Sequence, residues 1–393
     1  MKYVVVLGDG MADYPIDALS GRTPLAAANK PCMDFLADSA VRYGLAQTTV
    51  RHLPAGSDVA NLSVMGYDPG LYYTGRGPLE AASMGVKLRP DDVAFRCNLI
   101  TVDETIVDYS AGHITSEEAG ELIRFLDARL GREGMRFYPG ISYRHLLVIN
   151  PCPEGIACTP PHDVVGQPVK DHLPKGEGSD IIIDLIKASR ELLPDHPVNR
   201  KRVAAGKRPA NSIWPWGQGR TPSMPTFREK YGLSGAVISA VDLIKGLGVF
   251  TGLEVIDVPG ATGYLDTDYG AKARYALKTL EHNDFVFVHV EAPDEAGHGG
   301  KLQEKMQAIE DLDSKLIKPL FDGLTKLGDF RLMVLPDHPT PLSTKTHAYD
   351  AVPYIIYDSR YNNKNNKRYD EASMADGQFV QHGHDLMTTF IKG

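Results

Sequence analysis

Tyr3-Val4-Val5-Val6-Leu7-Gly8-Asp9-Gly10-Met11 sets a short apolar, β-branched run directly against an aspartate flanked by glycines. Continuous apolar runs of this length are the pattern of a strand buried on both faces, and such strands belong to parallel sheets covered by helices. The glycines free the backbone at the carboxyl end of that strand, which is where open α/β sheets place ligands. Asp9 is therefore a candidate metal ligand. By itself, Asp9-Gly10 reads first as a turn dipeptide.

Two acidic-histidine clusters late in the chain bear on that choice. In Asp294-Glu295-Ala296-Gly297-His298 the terminal pair is spaced to meet across one helical turn and grip a cation between them. Asp337 and His338 are adjacent, so their side chains diverge and can serve two neighbouring metals at a strand end. His347 can return to the first of these. The tail motif Gln381-His382-Gly383-His384-Asp385 competes with His347 for that place, although it also reads as the start of a terminal helix with exposed histidines.

A nucleophile is offered by Ala55-Gly56-Ser57-Asp58-Val59-Ala60-Asn61. Gly56 allows a sharp turn ahead of Ser57, and the following residues can open a helix whose amino-terminal N–H groups favour a phosphate. The alternative is a serine that merely caps that helix.

These segments, in this order, resemble the alkaline phosphatase superfamily and, within it, the cofactor-independent phosphoglycerate mutases of the archaeal type. The resemblance extends over nearly the whole chain. It includes Asp108-Tyr109-Ser110-Ala111-Gly112, Gly140-Ile141-Ser142-Tyr143-Arg144 and Asn211-Ser212-Ile213-Trp214-Pro215-Trp216-Gly217-Gln218-Gly219. It implies one metal held by Asp294, His298 and His347, and a second held by Asp9, Ser57, Asp337 and His338, with Ser57 transiently phosphorylated. It further implies substrate contacts from Arg96, Arg144 and Lys245. Asp and His donors without thiolate suit two divalent ions, manganese, magnesium or zinc, and the resemblance favours manganese. The activity implied is interconversion of 3-phosphoglycerate and 2-phosphoglycerate. Around the metals, Val290-Glu291-Ala292-Pro293 and Leu335-Pro336 depart from the best archaeal matches and look like a bacterial branch. That keeps open a homoserine kinase-like phosphotransferase or a metal-dependent phosphatase. A P-loop pattern is absent.

The implied fold is an alkaline-phosphatase-like, mostly parallel sheet flanked by helices, with an inserted smaller α+β cap. No ligand candidate falls between Ser57 and Asp294, so residues 1–71 and 206–393 are expected to form the metal-binding domain and 72–205 the inserted cap or substrate domain. In the cap, Val93–Thr101, Thr105–Tyr109 and Leu146–Asn150 read as strands, and Ser116–Leu130 as a helix with Ser116 as N-cap and Gly131 as stop. The Pro- and Gly-rich run Pro194–Pro225 is expected to carry the chain back, anchored by burial of Trp214 and Trp216. Beyond it, Ala236–Ala240, Glu254–Val258, Phe285–Val290, Arg331–Leu335 and Tyr354–Tyr357 read as strands, and Tyr269–His282 and Gln303–Leu324 as helices. A mutase must also retain dephosphorylated glycerate, so a water-excluding lid is expected of the cap.

A chain of 393 residues can bury a substantial core. The formal charge of -8 argues against nucleic acid as the main partner, while local metals and arginines can still favour a small phosphorylated hydroxy acid. No apolar stretch is long enough for a membrane span and no leader pattern is seen, so a cytoplasmic enzyme with no membrane partner is expected. Cys32, Cys97, Cys152 and Cys158 form no Cys-x-x-Cys motif, and reduced thiols are expected.

Overall fold

The computed structural model describes residues 1–153 and 155–393. These divide into two compact units, Met1–Tyr73 with Ser223–Gly393, and Thr74–Pro222. Thirteen strands are present among the described residues: β1 Lys2–Gly8, β2 Arg42–Ala46, β3 Val93–Val102, β4 Ile106–Asp108, β5 Met135–Tyr138, β6 Arg144–Ile149, β7 Ser212–Gly219, β8 Gly235–Ile238, β9 Glu254–Ile256, β10 Phe285–Val290, β11 Phe330–Leu335, β12 Val352–Asp358 and β13 Gln378–Val380.

The first unit is built on an eight-stranded sheet in the order β13-β2-β12-β11-β1-β10-β8-β9. β1 runs parallel to both β10 and β11, and β8 and β9 continue the parallel set. β12 alone runs against its neighbours β11 and β2. The register sets Gly8 beside Val290 and Leu7 beside Leu335, so β1, β10 and β11 end at one edge. Both sheet faces are covered, as the apolar runs require. Val4, Val6, Val286, Val288, Leu332 and Val334 pack in one core with Met33, Leu36, Leu312 and Leu316, while Val5, Leu7, Phe287 and Met333 are fully buried as well. Each such side chain contributes roughly 1.5–3 kcal/mol by leaving water.

The expected helix over Gln303–Leu324 is one continuous rod with a change of pitch: α over Leu302–Asp311, a wider π turn over Leu312–Ile317, and α again over Lys318–Leu324. Pro319 lacks an N–H and its ring crowds the carbonyl one turn back, so the wider turn relieves the clash. The other expected helix ends at Thr279 rather than His282. Among the described residues, no helix is long and apolar enough to cross a membrane, and all four cysteines are free thiols.

The second unit is an antiparallel sheet in which β3 pairs with β4, β6 and β7, and β6 with β5. Its core joins Phe95, Leu99, Leu122, Ile123, Leu126, Ile182 and Leu185 from the strands and from the helices Ser116–Leu130 and Ser179–Leu192. The N-cap of the first helix is Thr115, whose hydroxyl accepts from the Glu118 amide (3.3 Å), and not Ser116. Ser116 instead accepts from the Ser142 amide at 2.9 Å.

The stretch expected to return the chain is structured and belongs to this unit. Pro197 opens a helix to Ala204, and Ser212–Gly219 is β7, with Pro215 opposite Cys97. Among the described residues β7 pairs only with β3, an edge position where a proline that cannot donate is tolerated. Trp214 and Trp216 are buried on that strand, their indole N–H groups donating to the Thr159 carbonyl and to Asn98 Oδ1. The unit accordingly extends to Pro222 rather than Ala205.

Asp108 organises the turn after β4. Its carboxylate accepts from the Ser110 amide and hydroxyl and from the Gly112 amide, and pairs with Arg208 at 2.6 Å. Burial alone would raise its pKa, but the bonds from Ser110 and Arg208 hold it down to about 2. Because this lies below the unfolded value of about 3.9, the stabilisation is complete above pH ~4 and is lost as pH falls toward 2. Asp108→Asn should therefore cost about 1 kcal/mol at pH 7, after solvent screening, and nearly nothing at pH 2. Urea midpoints of the two proteins at both pH values check this, and an equal deficit at both would assign the loss to shape rather than charge.

Candidate active site

Three neighbouring strands deliver carboxylates to one edge of the main sheet. Asp9 follows β1, and its amide donates to the Val290 carbonyl at 2.9 Å. Gly10 turns the chain with a left-handed φ of +57°, and a Cβ there would meet Asp294 Oδ1 and Thr340 Oγ1 at 2.5 Å. Only glycine fits that approach. The Gly10 amide donates to Asp337 Oδ1 at 3.1 Å, which ties the end of β1 to the residues after β11. Asp294 and His298 sit on the helix Ala292–His298 that follows β10, one turn apart, with His298 Nε2 3.2 Å from Asp294 Oδ2.

Ser57 is the first residue of the helix Ser57–Val64, and Gly56 takes the N-cap position, so Ser57 is not the cap. Its Oγ lies 3.1 Å from His338 Nε2. One turn on, the Asn61 side-chain amide donates to the Ser57 carbonyl (2.9 Å) and to Asp337 Oδ2 (2.7 Å), fixing the helix start against the acidic edge. His347 Nε2 lies 3.0 Å from His298 Nε2 and 3.6 Å from Asp294 Oδ1.

Among the described residues, three groups of side chains could each hold a metal ion, with donor atoms within 4.8 Å of one another: Asp294, His298 and His347; Asp9, Asp337 and His338; and Asp9, His289 and Glu291. The first two gather the residues singled out in the sequence. The third was not foreseen. His289 stands inside an apolar strand, where a histidine in a fully buried run is the one signal of a polar task, and in the sequence Glu291 is only a neighbour of the Asp294 motif.

Electrostatics agree with a cation at this edge. Burial, followed by the charges of Asp337 and Glu291, raises the Asp9 carboxyl well above the usual range. Burial and Asp294 push Glu291 up to about 8 and Asp337 to about 6. Asp294 goes the other way, because His298 and His347 outweigh its burial. Burial takes His338 and His347 down to about 4, so both imidazoles are neutral and able to donate a lone pair near pH 7. Asp9 Oδ1 and Glu291 Oε2 are buried without a hydrogen-bond partner. Buried carboxylate oxygens of that kind are costly unless a positive charge meets them, so the residues present fit divalent ions.

The tail histidines lie apart from these groups. His382 and His384 stack on one another at 5.6 Å and line an open cavity of about 740 Å³ with Arg51, His52 and Asp68.

The proposed substrate contacts fall in two places. In the second unit, Arg96 is buried, pairs with Glu80 at 3.0 Å and lies 5.0 Å over the Trp216 ring; Arg76 also reaches Glu80, at 3.4 Å. Arg144 begins β6 opposite Asn98 of β3, and its charge acts on Glu80 and Arg96. Lys245, in the first unit, pairs with Asp257 at 2.7 Å beyond the end of edge strand β9.

The fold is of the mixed α/β class, a central, mostly parallel sheet flanked by helices. The family model for 2,3-bisphosphoglycerate-independent phosphoglycerate mutase matches residues 39–199. Curated relatives of that name include one from Methanosarcina barkeri, 54% identical over all of both chains, and one from Geobacter sulfurreducens described as probable, 51% identical over all of both. The solved cofactor-independent phosphoglycerate mutase of Thermoplasma acidophilum aligns with a TM-score of 0.66 at 28% identity, covering 100% of this chain and 99% of that one. A Pyrococcus horikoshii structure aligns with a TM-score of 0.84 at 31% identity, covering 100% and 96%. The chain belongs to the 2,3-bisphosphoglycerate-independent phosphoglycerate mutase family.

Proposed function

We propose that the chain interconverts 3-phosphoglycerate and 2-phosphoglycerate without 2,3-bisphosphoglycerate, by way of a phosphoserine at Ser57. The observation that carries this reading is Ser57 Oγ at the start of a helix, 3.1 Å from His338 and among converging acidic and imidazole donors. Asp294, His298 and His347 would hold one divalent ion, and Asp9, Ser57, Asp337 and His338 another, with manganese the first expectation and magnesium or zinc compatible with the same donors. When bound, such a pair of ions polarises phosphoryl oxygens, lowers the serine pKa and stabilises a leaving alkoxide.

The chain's own residues supply the rest. Ser57 Oγ gives up its proton and forms a bond to phosphorus as the bond to the substrate's 3-oxygen breaks, and that oxygen takes up a proton. The 2-hydroxyl of the retained glycerate then gives up its proton and bonds to phosphorus as the bond to Ser57 Oγ breaks, and Ser57 Oγ takes up a proton and is restored. The positive end of the helix that Ser57 opens favours the phosphate's charge. Asn61 keeps Ser57 and Asp337 in register through its two hydrogen bonds. Retention of the glycerate is assigned to cationic side chains, Arg96 and Arg144 first, because a guanidinium can hold a carboxylate bidentately. Lys245, already paired with Asp257, is a weaker candidate. A cytoplasmic location accords with this activity.

The test is an enolase-coupled assay with 3-phosphoglycerate and manganese, omitting 2,3-bisphosphoglycerate. Steady formation of 2-phosphoglycerate is expected, and chelation should abolish it. Free phosphate in its place would establish a phosphatase, and inertness toward phosphoglycerates would direct attention to another small alcohol. The relatives' shared name at 51–54% identity favours the mutase over both.

A further inference from the structure

Behind Asp9 runs a chain of hydrogen bonds made by residues outside both proposed ligand sets. His289, the penultimate residue of β10, is fully buried and lies opposite Leu7 of β1. Its Nε2 is 2.8 Å from Asp9 Oδ2, and its Nδ1 is 3.2 Å from Ser239 Oγ, just past the end of β8. The same serine oxygen accepts the Val241 amide at 3.0 Å. Ser239 therefore has its hydroxyl proton left to give, and His289 Nδ1 is the acceptor it faces. With Nδ1 accepting, the neutral ring carries its proton on Nε2 and donates it to Asp9. With Asp9 ionised, as a metal ligand must be, the other tautomer would set a lone pair on Nε2 against a carboxylate oxygen at 2.8 Å. The strand end is anchored further by the buried Lys272, whose ammonium donates to the His289 carbonyl at 2.9 Å.

We infer that His289 is a positioning residue: Ser239 fixes its tautomer, and its Nε2–H holds Asp9 Oδ2 so that Oδ1, buried without a hydrogen-bond partner, is presented to a cation. The inference rests on the reading that Asp9 is a metal ligand. It also decides between two roles for His289, which lies with Asp9 and Glu291 as a donor trio. A nitrogen that donates its proton to Asp9 has no lone pair for a metal, so the trio is a support and not a third ion site. Outer partners of this kind orient ligands, and their loss typically weakens metal binding about 10- to 100-fold.

The experiment is a manganese titration of the purified full-length protein, followed by calorimetry and by the electron paramagnetic signal of free Mn²⁺. Wild type is compared with His289→Leu, His289→Gln and Ser239→Ala. Two ions are expected in wild type. His289→Leu should weaken one of them about 10- to 100-fold and leave the other unchanged. His289→Gln, whose side-chain amide can still donate to Asp9, should restore most of the lost affinity, and Ser239→Ala should shift the same ion by a smaller factor. Ser239→Ala and His289→Gln keep the test decisive should the leucine variant fail to fold. Unchanged affinity in His289→Leu, or equal losses in the leucine and glutamine variants, would overturn the inference. So would a third ion in wild type that disappears in His289→Leu, which would make His289 a ligand. Absence of manganese binding by wild type would instead overturn the metal reading of the site itself.

Discussion

Ser57→Ala is expected to lower phosphoglycerate turnover on the order of 10⁴- to 10⁶-fold, the scale on which enzymes lose activity when a covalent nucleophile is deleted. The fold should not notice. Ser57 contributes one side-chain hydrogen bond, to His338 at 3.1 Å, and the helix cap is supplied by the Gly56 backbone. Alanine is a good residue for a first helical turn, so the thermal midpoint should move by no more than about a few degrees. The check is the enolase-coupled assay alongside a melting curve. Near-normal turnover in a folded Ser57→Ala protein would mean that the nucleophile lies elsewhere.

Asp294→Asn is expected to remove one of two manganese ions and to lower turnover on the order of 10³-fold or more. This carboxylate is the common partner of His298 at 3.2 Å and His347 at 3.6 Å, and it also accepts a hydrogen bond from the Thr340 hydroxyl. An amide keeps the shape but loses the charge, and its NH₂ end would oppose a cation. In the metal-free protein two effects of the change oppose one another. The ion pair to His298 is lost, but repulsion that pushes up Glu291 and Asp337 is relieved. Ion content by elemental analysis is therefore a sharper readout than melting. His347→Ala should lose affinity for the same ion, and His384→Ala should keep both. Full occupancy in His347→Ala with loss in His384→Ala would transfer the third ligand to the tail.

What could be read in advance followed from local chemistry. β1, β10 and β11 stand out because burial on both faces demands unbroken apolar runs, and Asp294 and His298 because a helical turn fixes their spacing. β2 and β13 are short, carry Arg42, Gly44 and Gln378, and gain their stability from pairing with each other and with β12. Such pairing leaves no mark in the local pattern. The reversal of β12 is equally silent, since strand direction is set by connections rather than composition. β7 is a strand because β3 offers it an edge, against the local bias of Pro215, Gly217 and Gly219. At the site, Asp9, Ser57, Asp337, His338 and His347 could be assembled from motifs. The hydrogen bonds that orient them could not, because Ser239 and His289 become partners only through the parallel register and Asn61 meets Asp337 only through the tertiary fold. Lys245 shows what a motif leaves out, since the fold engages this cation in an ion pair with Asp257 that the local sequence does not announce.

The most direct test of the central claim is to mix the manganese-loaded protein with 3-phosphoglycerate, quench in acid within the first turnovers, and map phosphorylated peptides by mass spectrometry. Phosphoserine on the peptide that contains Ser57, present in wild type and absent from Ser57→Ala, is the predicted result. Steady production of 2-phosphoglycerate with no phosphate on Ser57, or with phosphate on a histidine such as His338, would contradict it.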